Sequence, residues 1–323
     1  MFRYLIRSIL WAIFLFLVVT WVTFVIFFMT PANPGRLLCG GDKATGECIT
    51  AATKKLGLDK PITVQYYRFL KQLVLHQSLG TSFLQKSSVN GIIAGAAPVT
   101  ASLVFGGAVL WLMMGLVVGI FSALRPRSLL DRIAMIFVLI GVSAHPVWIG
   151  LIFSYYFGYK WHLTPIAGYA DFFNPAPGEP GGAWPWFSHM ILPWCTFALL
   201  FAALYVRMIR ANVMETMNED FVRTARAKGA SEQRVLGVHV LRNALLPVVT
   251  MLGMDIGVAL GGAVFTETVY NLPGLGRTAI LAIYSYDLAI VEGVVVFATL
   301  AIIVFNLIVD LLYAWIDPRI RLT

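Results

Sequence analysis

Residues 87–124 read SSVNGIIAGAAPVTASLVFGGAVLWLMMGLVVGIFSAL and contain no charged residue over 38 positions. A helix needs about 20 apolar residues to cross the hydrocarbon layer of a bilayer. Backbone N–H and C=O groups have no water partner there, so such a run is helical when it spans the membrane. This stretch therefore predicts an all-α integral membrane protein.

Other long uncharged runs support the same fold class, and they cover residues 8–35 and 133–159. Only 12% of the chain is charged, against about 25% in an ordinary soluble domain, and its mean hydropathy is +0.80. The first run is longer than the core of a signal peptide, which favours an uncleaved anchor. We predict six transmembrane helices, at residues 5–29, 100–124, 133–158, 190–209, 244–270 and 291–316.

The distribution of Lys and Arg orients these spans. Basic residues concentrate at both ends of the chain and in alternate loops, and cytoplasmic loops carry such an excess. We therefore predict a multi-pass protein of the cell membrane with both termini in the cytoplasm. The net charge of +8 reflects this arrangement rather than nucleic-acid binding. The residues placed inside are Arg3, Arg7, Arg125, Arg127, Arg132, Arg207, Arg210, Arg223, Arg226, Lys228, Arg234, Arg242, Arg319 and Arg321.

The predicted spans divide the chain into four parts. Residues 1–29 form an N-terminal transmembrane helix, and residues 30–96 form an extracytoplasmic segment. Residues 97–316 form a core of five helices with a cytoplasmic loop at 207–243, and a cytoplasmic tail follows at 317–323. Within the outer segment, residues 64–75 have apolar side chains at helical spacing, which suits either a helix on the membrane surface or one packed on the rest of that segment.

Two of the three cysteines, Cys39 and Cys48, fall in the outer segment, and Cys195 falls in the fourth predicted span. The outer pair faces an oxidising compartment, so a disulfide between these two residues is plausible. Two free thiols are the alternative. Zinc would need further ligands, and no other His or Cys lies close by in sequence.

Motifs of enzymes and nucleotide-binding proteins are absent from the sequence. It contains no G-x-x-x-x-G-K-[ST], G-x-S-x-G or H-E-x-x-H pattern. We predict that the chain is not an enzyme and binds no metal or cofactor itself. Energy for uphill transport would then come from another chain or from an ion gradient. His145, which precedes Pro146 in the third predicted span, is interpreted as a hydrogen-bonded packing residue.

Acidic residues inside the predicted spans help to decide between these two energy sources, a partner chain or an ion gradient. Asp255 and Asp310 are candidates for an ion-coupled carrier, because buried acids in membrane helices are costly and often functional. However, we find no paired, interrupted half-helices in the sequence. We favour a structural role for Asp255, in a hydrogen bond across a helix interface. The small residues Gly253, Gly257 and Gly261, four positions apart, indicate close helix packing around it, although a place on the transport path is the alternative.

The cytoplasmic loop 207–243 reads RMIRANVMETMNEDFVRTARAKGASEQRVLGVHVLRN. Acids at positions 219 and 220 can open a short helix, and Gly229 can end it as a C′ residue. Ser231 can then cap a second helix that runs to Leu241. We expect the short helix to expose Phe221, Val222 and Ala225 together with basic groups, which would suit docking of a partner.

These residues resemble a known family. TARAKGAS followed by NALLP is similar to the coupling-loop signature of binding-protein-dependent ABC importer permeases, and specifically to the dipeptide/oligopeptide/nickel branch. The common E-A-A-x-x-x-G form is incomplete, since Arg223 and Thr224 stand where Glu and Ala would be. LGLDKPITVQYYRFL, LGTSF and NLIVDLLYAWIDPRIRL also resemble that branch. So does NLPGLGR, an outer turn that carries Pro273, Gly274 and Gly276.

The resemblance implies a type I ABC importer permease that forms half of a translocation path. Its partners would be a second homologous permease in a heterodimer, two cytoplasmic ATPase subunits that use ATP and Mg, and an extracytoplasmic solute-binding protein. Peptides are the expected solutes, with nickel complexes or oligosaccharides as alternatives; an ion-coupled secondary transporter is a further hypothesis. The residues expected to couple to the ATPase are Asp220, Phe221, Arg223, Thr224, Ala225, Arg226, Lys228, Gly229, Ala230 and Ser231.

Overall fold

A computed structural model describes residues 2–29, 36, 39, 44–57, 59–82, 84–173, 175 and 181–316. The described chain is helical, with one isolated antiparallel bridge between Thr81 and Ser88. Its helices are α1 (Phe2–Met29), α2 (Gly46–Leu56), α3 (Ile62–His76), α4 (Val89–Leu124), α5 (Leu129–Ser143), α6 (Pro146–Lys160), α7 (Ala183–Met217), α8 (Asp220–Ala227), α9 (Glu232–Ala244), α10 (Leu246–Ala259), α11 (Val264–Val269), α12 (Leu275–Tyr284) and α13 (Leu288–Ile316).

Four of the described helices, α1, α4, α7 and α13, are long and apolar enough to cross a membrane. Two bent pairs, α5 with α6 and α9 with α10, raise the number of spans to six if each pair counts as one. The all-α membrane fold is therefore confirmed. The predicted boundaries were less accurate, because α4 begins at Val89 and α7 continues to Met217.

The third predicted span is not one continuous helix, and this corrects the sequence-based expectation. The chain bends by 107° between α5 and α6. Ala144 and His145 are extended there, and Pro146 begins the second helix because its missing N–H costs nothing at that position. The ring Nδ1 of His145 accepts a hydrogen bond from the Val147 N–H at 3.3 Å. His145 is thus the N-cap of α6, which agrees with a hydrogen-bonded role.

The predicted bounds of the fifth span, 244–270, are wrong. Helix α10 ends at Ala259, and Gly262 takes a φ of +132° that favours glycine. The chain then forms the short helices α11 and α12 before α13 begins. Together with the bends of 107° and 45°, this shows interrupted helices that the sequence analysis did not find.

The core of the described structure lies between α4 and α7. An added Cβ at Gly115 would lie 2.8 Å from Cβ of Tyr205, and one at Gly119 would lie 3.0 Å from Cβ of Ile209. Only glycine allows this close approach of two helices. Trp111 fills the adjoining space and stacks on Phe201, with ring centroids 4.5 Å apart. The second and fourth spans therefore form one tightly packed pair.

A second tight pair forms where α10 meets α13. A Cβ at Gly257 would lie 3.2 Å from Cβ of Phe305, and one at Gly261 would lie 3.2 Å from Cβ of Ala298. Gly253 faces Val309 at still shorter range. These three glycines pack against protein, as small residues at this spacing do in membrane helices.

One helix of the outer segment packs against the first span. The hydroxyl of Tyr66 on α3 donates to the Leu17 carbonyl at 3.0 Å and lies 2.8 Å from the Thr20 hydroxyl. Helix α3 therefore packs on α1, which neither sequence-based alternative specified. The structure joins Cys39 and Cys48 in a disulfide with their Cα atoms 6.0 Å apart.

Candidate coupling site

Helix α8 links α7 to α9 and is eight residues long. Glu219 is extended immediately before it, and Asp220 lies in its first turn. Arg226 lies in its last turn. Acids near the start and bases near the end of a helix both interact favourably with its dipole. The sequence therefore explains why a helix this short forms at this place.

A left-handed glycine ends α8. Gly229 has a φ of +80°, and its N–H donates to the Arg226 carbonyl at 2.9 Å. The next N–H, from Ala230, donates to the Ala225 carbonyl at 3.2 Å. These two bonds are the Schellman motif of a helix C-terminus. A Cβ at Gly229 would meet nothing within 4 Å, so a larger residue would be opposed by the backbone conformation alone.

The apolar face of α8 is not available to a partner, which corrects the sequence-based expectation for two residues. Val222 is fully buried and Ala225 is 8% exposed, whereas Phe221 is 43% exposed. Both buried residues belong to the core of this chain, together with Val213 and Val235. Positions 222 and 225 lie on one side of a helix, and the chain itself covers that side.

The remaining exposed residues of α8 and its turn form one surface, which we call the docking surface. It presents an aromatic ring among basic and polar groups, and Asp220 lies at its edge. Arg223 makes only a loose contact with Asp220, at 3.5 Å, and both side chains remain mostly exposed. The exposed members of the docking surface are Asp220, Phe221, Arg223, Thr224, Ala227, Lys228, Gly229 and Ser231; Ala230 is half-buried.

Arg226 forms hydrogen bonds across the turn. Its Nε donates to Oε1 of Glu232 at 2.8 Å, and its Nη2 donates to Oε2 at 3.2 Å. This paired hydrogen bond raises the pKa of Arg226 above its usual value. Because Glu232 begins α9, the pair ties the two helices together across Gly229. The expected coupling residue Arg226 therefore links α8 to α9 at their junction.

Helix α9 leads from the turn back to the membrane. The predicted second helix, from Ser231 to Leu241, is present but continues to Ala244 through a π-helical stretch at Val235–Val240. Ser231 has the extended backbone of an N-cap, yet its side chain makes no capping hydrogen bond. A bend of 45° then joins α9 to α10. Helix α8 is therefore joined to α7 on one side and, through α9, to α10 on the other.

Asp255 lies apart from the docking surface. The hydroxyl of Tyr205 on α7 donates to Oδ2 of Asp255 at 2.7 Å. This hydrogen bond joins α10 to the α4–α7 pair, and the aspartate is half-buried. The geometry is that of a bond across a helix interface.

Sequence reasoning missed Glu267, which organises the outer turn. It is fully buried, and it accepts hydrogen bonds from the Thr100 hydroxyl at 2.6 Å and the Arg277 N–H at 2.9 Å. Gly274 lies directly against its carboxylate, and Gly276 lies against Val264, so neither position has room for a Cβ. Pro273 precedes this contact. Its position as an acidic residue within the predicted span 244–270 was the sequence signal that could have identified it.

Comparisons with known proteins agree with this architecture. Residues 115–322 match the family model described as "Binding-protein-dependent transport system inner membrane component", and residues 1–104 match the model of its N-terminal part. The dipeptide transport system permease protein DppB of Escherichia coli (strain K12) is 34% identical over 99% of both chains. A putative peptide transport system permease protein of Brucella abortus (strain 2308) is 36% identical over 96% of both chains.

Solved structures show the same fold at lower sequence identity. A chain of the inward-facing MetNI methionine ABC transporter has a TM-score of 0.54 at 15% identity and covers 70% of this chain and 96% of its own. A chain of an amino acid ABC transporter solved with histidines has a TM-score of 0.50 at 15% identity, over 72% of this chain and 95% of its own. The family model, which covers more than half of the chain, and the full-length relatives show that this chain belongs to the family of binding-protein-dependent transport system inner membrane components.

Proposed function

We propose that this chain is one permease subunit of an ATP-driven peptide importer and that α8 receives the movement of a separate ATPase subunit. The observation that carries the proposal is the docking surface. A short helix is sealed on its inner side by Val222 and Ala225 and exposes Phe221 among basic groups. A solvated loop needs no such rigid helix, whereas a docking element does.

The mechanism we propose is mechanical. ATP binding closes two cytoplasmic ATPase subunits, and one of them carries the docking surface with it. The Schellman turn and the Arg226–Glu232 pair hold α8 at a fixed angle to α9. A rigid-body displacement of α8 therefore moves α7 and α9 together, and such displacements are an established way of switching between conformations.

The remaining assignments of this proposal concern solute and partners. The similarity to peptide permeases over nearly the whole chain supports peptides as the solute. The family description supports an extracytoplasmic binding protein that delivers them. We assign the ATP hydrolysis to the separate ATPase subunits and half of the path to a second, homologous permease. Both chain termini lie in the cytoplasm in this arrangement, as the distribution of Arg and Lys indicates.

Substitution of Gly229 tests the coupling role. Gly229→Val places a β-branched side chain at a φ of +80°, which costs about 1–2 kcal/mol and favours a different turn. The membrane helices are untouched, so insertion should be normal. We expect reduced co-purification of the ATPase subunits, reduced uptake, and ATP hydrolysis that no longer responds to loaded binding protein. Arg226→Glu, which faces Glu232 with a like charge, should act in the same direction.

A matched control is available in the same segment. Gly237 on α9 is exposed, has no positive φ, and would accept a Cβ without a contact within 4 Å. Gly237→Ala should leave assembly and stimulated ATP hydrolysis at wild-type values. Wild-type values for Gly229→Val as well would reject α8 as the coupling element.

The solute is tested by uptake into vesicles that contain the complete reconstituted complex. With binding protein and ATP present, a labelled dipeptide or short oligopeptide should accumulate. Accumulation of a nickel complex or an oligosaccharide, without any peptide uptake, would leave the coupling mechanism intact and reject the peptide assignment.

A further inference from the structure

A buried carboxylate lies at the cytoplasmic base of the helix bundle, outside the docking surface. Asp131, in the first turn of α5, is 4% exposed. Its Oδ1 accepts a hydrogen bond from Nε of Arg210 at 2.7 Å, and its Oδ2 accepts one from Nη2 of the same guanidinium at 3.0 Å. The Arg127 N–H donates to Oδ2 at 2.8 Å, and the Ser122 hydroxyl donates to Oδ1.

These donors come from three different elements. Ser122 belongs to α4, Arg127 to the turn between α4 and α5, and Arg210 to α7. One carboxylate therefore fixes the positions of α4, α5 and α7 relative to one another. Bidentate contact between Arg and a carboxylate restricts geometry as well as adding energy. We call these three side chains, Ser122, Asp131 and Arg210, the base clamp.

Stability alone is a weak explanation for the base clamp. Burying an ion pair costs so much desolvation that well-packed apolar residues of similar volume are often as good or better. The helices around it already pack closely, since an added Cβ at Gly141 on α5 would lie 2.8 Å from Cβ of Ala203 on α7. What the clamp adds is a fixed relative orientation at one place, where α4 ends, α5 begins and α7 approaches its end.

That place is next to the docking surface. Arg210 lies seven residues before the end of α7 at Met217, a distance of about 10 Å along the helix. Helix α8 begins three residues later, at Asp220. A force applied to α8 therefore enters α7 within two turns of the clamp, before it reaches the outer parts of the bundle.

We propose that Asp131 and Arg210 are positioning residues that make α4 and α5 follow the movement of α8. This proposal rests on the proposed coupling role of α8 and assigns the next step of the same movement. With the clamp intact, α4, α5 and α7 shift as one body. Without it, α7 responds to the ATPase while α4 and α5 lag behind, so ATP is hydrolysed with less solute moved.

The test compares transport with ATP hydrolysis in the reconstituted complex. Asp131→Asn keeps the shape of the side chain and removes the charge that faces Arg210. We expect ATP hydrolysis to remain responsive to loaded binding protein while uptake per ATP falls by about ten-fold, within the range that residues on a coupling path produce. Arg210→Lys keeps the positive charge and should restore part of that ratio relative to Arg210→Gln. Arg132→Gln, an exposed neighbour of Asp131, should behave as wild type.

The outcomes separate this proposal from the one it rests on. An unchanged ratio of uptake to ATP hydrolysis in Asp131→Asn overturns the base clamp as a positioning element. A parallel loss of uptake and stimulated hydrolysis per assembled complex also overturns it, because it indicates structural damage. If Asp131→Asn does not assemble, the Arg210→Lys and Arg210→Gln pair decides by the same ratio. Normal ATPase recovery with Gly229→Val, measured alongside, rejects the coupling role of α8 instead.

Discussion

The two faces of this protein hold their carboxylates in different ways. On the face that the distribution of basic residues assigns to the cytoplasm, Asp131 and Glu232 each receive a bidentate contact from an arginine. On the outer face, Glu267 is held by a threonine hydroxyl and a backbone N–H. Asp287 accepts hydrogen bonds from the Ser82 hydroxyl and, at 3.5 Å, from the Leu84 N–H. The cytoplasmic acids have charged partners, and these outer acids have neutral ones.

The difference follows from the uneven distribution of basic residues from which the orientation in the membrane is predicted. Arginine is plentiful in the segments assigned to the cytoplasm, so both the buried Asp131 and the exposed Glu232 lie within reach of a guanidinium. The outer acids instead complete turns, as Glu267 does beside the start of α12. The comparison implies that cytoplasmic sites depend on charge, whereas outer sites depend on hydrogen-bond acceptors.

The largest effect is expected when an outer acid loses its acceptor atoms. Glu267→Leu leaves the Thr100 hydroxyl and the Arg277 N–H buried without the carboxylate, at a cost of roughly 1–3 kcal/mol for each group. Glu267→Gln removes only the charge and retains an acceptor oxygen. We expect thermal unfolding of the purified protein to show a large loss for Leu and a small one for Gln.

Equal losses in the two Glu267 variants would contradict the comparison, because charge would then matter on the outer face too. The matched cytoplasmic experiment is Asp131→Asn, where removal of the charge alone should be sufficient to impair function. Glu267→Gln should therefore have little effect, whereas Asp131→Asn should impair function.

An intermediate effect is expected from the outer disulfide. Replacing both Cys39 and Cys48 with serine removes a link between residues nine positions apart. In the chain-entropy model, closing a loop of this size stabilises by about 2–3 kcal/mol. We expect faster proteolysis within the outer segment, with normal recovery of the ATPase subunits at the cytoplasmic face. Mass spectrometry of the non-reduced protein should detect a linked peptide, and complete alkylation of both thiols without reductant would reject the bridge.

The sequence predicted some parts of this structure well, for physical reasons. Uncharged runs identified the membrane helices, because hydrocarbon excludes unpaired backbone groups. The pattern of acids at 219 and 220 followed by Gly229 predicted the turn of the candidate coupling site, because a left-handed helix end favours glycine. Both features are local in the chain.

The parts that were missed depend on contacts between distant residues. An apolar face on α8 is visible in the sequence, but the burial of Val222 depends on how α8 folds back on its own chain. The Asp131–Arg210 contact joins residues 79 positions apart. The break after Ala259 is hard to see because apolar residues continue on both sides of it, although α10 and α11 are separate helices. Hydropathy predicts that a segment is buried, but it does not predict where the helix breaks or which way the chain runs.

The smallest effect is expected at Asp255, which lies between the two faces and has one neutral partner. Asp255→Asn can still accept the hydrogen bond from the Tyr205 hydroxyl, now through its amide oxygen. Since this site resembles the outer acids in depending on an acceptor, ATP-dependent uptake should stay close to wild type. Asp255→Leu removes the acceptor and should lower thermal stability by about 1 kcal/mol or more. Complete loss of uptake in a normally assembled Asp255→Asn complex would instead assign Asp255 to solute or ion binding. The charge of this aspartate would then be essential, and the distinction between charge-dependent and acceptor-dependent sites would not hold for Asp255.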